Sequence, residues 1–187
     1  MIGFKDFILN LPLLLLIGNK DSKPIKDMSQ ILVYVPLEKY LSEWLTTKLG
    51  NPVVFPVASN ENAVIRAFLQ KRPADADVQT ADPNATAICI PDSTAKPVET
   101  YNYLGAKGKA AVKEAIKDLF IRNLWADMTP LDNSRLKLST RIAAWCEKAG
   151  IGLDRVETVR QCYYRIRKSY SERDINLRNS TRNRNSE

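Results

Sequence analysis

A chain of 187 residues with 44% apolar and 26% charged side chains can bury the core of one domain, or of a domain with a small appendage, and is ordinary for a soluble globular protein. It contains no histidine, which removes the usual general base, the commonest metal ligand and the ordinary nucleophile triad; its three cysteines, Cys89, Cys146 and Cys162, include no close pair and so argue against a disulfide framework and a structural zinc site. The net charge of +7 is unevenly placed: residues 1–132 carry 15 basic and 15 acidic side chains, whereas residues 133–187 carry 13 basic against 6 acidic and so account for all of it, a pattern that points to an anionic partner for the C-terminal part.

In chain order, the apolar run Phe7 to Gly18 is interrupted by Asn10 and Pro12 and is too short to span a bilayer, so no membrane association is expected. Residues 1–27 read as a poorly ordered leader or an upstream extension of a cytoplasmic protein. "ILVYV", Ile31 to Val35, is a β-branched and aromatic run closed by Pro36 and predicts a strand. Leu37, Tyr40, Leu41, Trp44, Leu45 and Leu49 follow at helical spacing, with Gly50 as the stop. "VVFPV", Val53 to Val57, predicts a second strand; Ser59 then caps a helix with Val64, Ile65, Phe68 and Leu69 on one face, ended by Lys71, Arg72 and Pro73. After an Ala/Asp/Pro-rich loop over 73–86, "AICI" to Ile90 predicts a third strand. A helix from about Lys107 to Asp127 buries Val112, Ile116, Leu119, Phe120 and Leu124. The expected fold is α/β: a small three-stranded sheet with amphipathic helices over 28–130, a helical module over 131–170, and a flexible basic tail over 171–187.

Within the module, Leu138, Ile142, Trp145, Cys146 and Ala149 mark one helix that Gly150 can end in the left-handed conformation. A second helix is expected to start at Asp154, whose carboxylate would bond the first-turn amides while Glu157 reaches back. Val156, Val159, Tyr163, Ile166 and Tyr170 form its apolar stripe. The segment resembles a helix-turn-helix, with Cys146, Gly150, Ile151, Val156 and Val159 in the positions that motif reserves for small, turn-opening and buried residues; cysteine stands where alanine is usual, and Gly152 loosens the turn. The resemblance implies that the second helix enters the major groove, with Arg155, Thr158, Arg160, Gln161 and Tyr164 facing DNA. An arginine fork suits guanine and a glutamine suits adenine. Arg167, Lys168, Arg173 and the tail arginines Arg178, Arg182 and Arg184 are expected on phosphates, which bring affinity and salt dependence but no sequence information. Opposed to this stands the reading in which the tyrosines are core and the arginines a solvated face.

No phosphate-binding glycine loop or dinucleotide fingerprint occurs. "GAKGK", with Gly105, Lys107, Gly108 and Lys109 ahead of a helix, is the one candidate anion site; Asp75, Asp77 and Asp82 are read as solvated charge in preference to metal ligands, and neither a metal nor a cofactor is expected. "ILVYVPLEKYLSEWL", "YNYLG" and "YYRIRKSY" are also similar to segments of small uncharacterised proteins carried on bacterial prophages and mobile elements, a likeness over residues 28–170 that implies a setting of DNA metabolism. The sequence therefore favours a protein that is not an enzyme and that binds nucleic acid, DNA ahead of RNA, with a homodimer as one arrangement; the alternative is a protein–protein interaction adaptor.

Overall fold

The computed structural model describes residues 31–76, 82–128 and 136–172. Strand β1 (Leu32–Val35) leads into helix α1 (Lys39–Leu49); helix α2 (Asn60–Phe68) and strand β2 (Thr86–Cys89) follow, and then the long helix α3 (Ala106–Met128). The C-terminal hairpin is helix α4 (Leu138–Lys148), a 3₁₀ turn at Leu153–Arg155 and helix α5 (Val156–Glu172). The leader and the tail, with Arg173, Arg178, Arg182 and Arg184, lie outside the described residues, as does Asp77. Among the described residues no helix is long and apolar enough to cross a membrane.

The fold is mixed α/β, but the expected three-stranded sheet is corrected to two strands. β1 and β2 pair antiparallel, with Val33 opposite Ile88 and Val35 opposite Thr86. On the other edge of β2 the run at Val53 makes a single parallel bridge: its amide donates to the Ala87 carbonyl, and its carbonyl accepts from the Cys89 amide, both at 2.9 Å. The next step of that ladder needs an N–H at Pro91, which has none. The Phe55 carbonyl that Pro91 cannot serve accepts instead from the side-chain amide of buried Asn62 at 2.9 Å, so α2 takes over where the strand stops.

α2 begins at the expected cap, with Ser59 Oγ accepting from the Asn62 amide at 3.1 Å. It ends at Phe68, earlier than Lys71 to Pro73, because Leu69 turns extended and Gln70 pairs with Tyr103. Its C-terminal carbonyls are gathered by one ammonium: Lys96 Nζ donates to Arg66 O at 2.6 Å and to Leu69 O at 2.9 Å.

A single apolar cluster runs from Val33 through α1 and α3 to Val159 and Tyr163. Phe120 of α3 is its hub, edge-on to Tyr40 (5.2 Å), Trp44 (5.3 Å) and Trp145 (5.7 Å). The helical hairpin therefore shares its core with the sheet side of the molecule. α5 is held to α3 by Trp125, which stacks on Tyr163 at 5.7 Å and meets Tyr170 at 4.8 Å.

Candidate nucleic-acid interface

α4 ends as expected: Gly150 takes φ 71°, the Ile151 amide donates to Cys146 O at 2.9 Å, and the Gly150 amide donates to Glu147 O at 3.1 Å. These two bonds make a Schellman turn, and the motif positions Cys146, Ile151 and Val159 are all buried while Val156 packs half-buried against them. The turn is pressed onto α1, since a Cβ at Gly150 would overlap the Thr47 hydroxyl and lie 2.9 Å from Thr47 Cβ. Glu43, four residues earlier on α1, accepts from the Gly152 amide at 2.9 Å.

The expected capping box at Asp154 and Glu157 is corrected. Asp154 lies inside the 3₁₀ turn, and its carboxylate takes Arg155 Nη1 at 2.6 Å. Glu157 holds Arg160 Nη2 at 2.6 Å and accepts from Gln161 Nε2 at 3.3 Å. Each carboxylate finds a guanidinium partner on the same segment, and Glu157 a side-chain amide as well; these compete with the backbone amides.

Three of the residues expected to read bases are thus engaged by carboxylates. Arg155, with its side chain 19% exposed, lies between Asp154 and Glu43, the latter at 3.6 Å from Nε. Arg160 and Gln161 share Glu157. Thr158 and Tyr164 point outward, Tyr164 being 46% exposed. Further along, Arg165, Arg167 and Lys168 are all exposed, and between Glu157 and Glu172 the helix has four basic side chains and no acidic one. Residues three and four apart are surface neighbours on a helix, so Arg160, Arg167 and Lys168 occupy the positions next to Tyr164 while Arg165 is next to Gln161 and Lys168. The opposite face carries Val159, Tyr163, Ile166 and Tyr170 into the core contacts. The tyrosines split accordingly: Tyr163 and Tyr170 are packing residues, and Tyr164 is the aromatic available to a ligand.

Two residues escaped the sequence reading. Arg165 sits between the stripe residues Tyr163 and Ile166, and only its three-residue spacing from Lys168 signals the outer face. It lies near the Tyr40 hydroxyl, whose pKa burial and the neighbouring Cys162 thiol push up strongly. Glu43 is 109 positions from Gly152 in the chain, and no local pattern connects them.

At the other candidate, Gly105 precedes α3 and Lys107 and Lys109 lie in its first turn. Gly108 has a packing explanation, because a Cβ there would come within 2.5 Å of Leu104 Cδ1 and 3.0 Å of Phe68 Cβ. The next lysines up the helix, Lys113 and Lys117, are neutralised by Glu38 at 3.2 Å and 3.6 Å. Asp82 serves a turn, accepting from the Asn84 amide at 2.9 Å, and no metal-binding group of three or more acidic or cysteine side chains occurs among the described residues. No family model, curated protein or solved structure matches the chain.

Proposed function

We propose that the protein is not an enzyme but binds nucleic acid, with duplex DNA as the ligand, by docking the outer face of α5 on the phosphate backbone. Tyr164, Arg165, Arg167 and Lys168 form the contact, in a phage or mobile-element setting. The observation that supports this reading is the acid-free run of exposed basic side chains around an exposed tyrosine on α5, in the part of the chain that holds the entire net charge of +7. Phosphate contacts of this kind bring affinity without sequence preference. Base reading by Arg155, Arg160 and Gln161 would first require their carboxylates to let go, so the docking is read as largely independent of sequence.

A titration of random-sequence duplex with the full chain and with the triple variant R165A/R167A/K168A tests this. The variant should lose most of its binding at low salt. Equal binding by the two proteins refutes the assignment to α5. A protein-docking adaptor is the second reading, favoured by Leu153, which stands 78% exposed at the tip of the hairpin. Absence of duplex binding by the full chain at low salt would turn the account towards that tip.

A further inference from the structure

Glu43 divides its carboxylate between two groups of the hairpin tip: Oε2 accepts from the Gly152 amide at 2.9 Å, and Oε1 lies 3.6 Å from Arg155 Nε. The second of these is an ion pair but too long to be a hydrogen bond. Arg155 Nε is in fact buried without any hydrogen-bond acceptor. A buried donor left in that state is a cost that an incoming oxygen can remove. The remaining partner, Asp154, is 71% exposed, so water and salt weaken its hold on Nη1. Arg155 is therefore drawn inward against α1 by a carboxylate that satisfies its charge and leaves its Nε–H unpaired.

We infer that Glu43 is an internal competitor for phosphate: it holds Arg155 back from the interface, and a bound polyanion extends its contact onto Arg155 by displacing that carboxylate. The inference rests on the nucleic-acid reading above and adds an autoinhibitory contact to it. Its consequence is quantitative. Each phosphate contact contributes about 0.9 to the slope of log affinity against log salt, so losing the Arg155 contact makes the slope shallower by about 0.9, a factor of about 3.5 between 50 and 200 mM salt.

The test is duplex binding by the full-length protein, E43Q, R155A and E43Q/R155A at those two ionic strengths. Glutamine keeps an oxygen for the Gly152 amide and removes only the charge. E43Q should bind more tightly than the unmodified protein at both ionic strengths, R155A should bind less tightly with the shallower slope above, and E43Q/R155A should show no gain over R155A. In the unmodified protein, the Arg155 Nε–H resonance should shift as duplex is added, a readout that needs no variant to fold. Duplex binding that is the same in E43Q as in the unmodified protein, or an Arg155 resonance that does not move, overturns the competitor role and leaves docking through α5 standing. Absence of duplex binding by every protein at 50 mM instead removes the nucleic-acid reading, and the inference with it.

Discussion

Gly150→Ala probes the join between the helical hairpin and α1. Gly150 holds φ 71°, a left-handed conformation that costs a residue with a Cβ about 1–2 kcal/mol. The new methyl would also overlap the Thr47 hydroxyl and lie 2.9 Å from Thr47 Cβ and Cγ2, so the turn must lift off α1 or Thr47 must leave its rotamer. Crowding of that kind costs about 1–3 kcal/mol, at the low end for two exposed residues, and the two effects together give a loss of about 3 kcal/mol. In urea, with a slope of about 2 kcal/mol per molar, the unfolding midpoint should fall by about 1.5 M at unchanged slope. Thr47→Ala removes the hydroxyl and the γ-methyl but keeps the Cβ at 2.9 Å, so G150A should cost less in that background, about 2 kcal/mol. A G150A protein as stable as the unmodified one refutes the packed turn, and an equal loss in both backgrounds shows that the Thr47 hydroxyl and γ-methyl contribute none of the effect.

Trp125→Ala removes the ring that stacks on Tyr163 and meets Tyr170, so stability measured in urea should fall by about 3 kcal/mol, with loss of near-ultraviolet ellipticity. Gly108→Ala puts a methyl 2.5 Å from Leu104 Cδ1 and should destabilise by about 1–2 kcal/mol in the same assay, despite the better helix propensity of alanine. Burial pushes the Cys146 thiol from 9.0 up to about 11, so the folded state holds its proton longer than the unfolded chain. That contribution is complete below pH 9 and is lost as pH rises towards 11, amounting to about 3 kcal/mol at most; urea midpoints measured from pH 8 to 11 should decline, and less steeply in C146A.

The helices were legible because each buries a stripe at helical spacing: Leu41, Trp44 and Leu45 on α1, Val112, Ile116, Phe120 and Leu124 on α3, Ile142 and Trp145 on α4. The Ser59 cap and the Gly150 stop act within one turn of chain and were equally readable. What could not be read depends on partners remote in sequence. The run at Val53 has strand composition, yet its extension is decided by a missing N–H at Pro91 and by an amide offered from Asn62. Asp154 and Glu157 have capping spacing, but adjacent arginines compete with the helix amides for them. At the proposed interface, the outer face of α5 followed from periodicity, whereas the contact that holds Arg155 comes from Glu43 on another helix.

The central claim, docking of phosphate on the outer face of α5, is tested most directly by the salt dependence of duplex affinity. Replacing Arg165, Arg167 and Lys168 together removes three cationic contacts, so the slope of log affinity against log salt should become shallower by about 2.7. A slope that is unchanged in the triple variant, with affinity retained, would contradict the account.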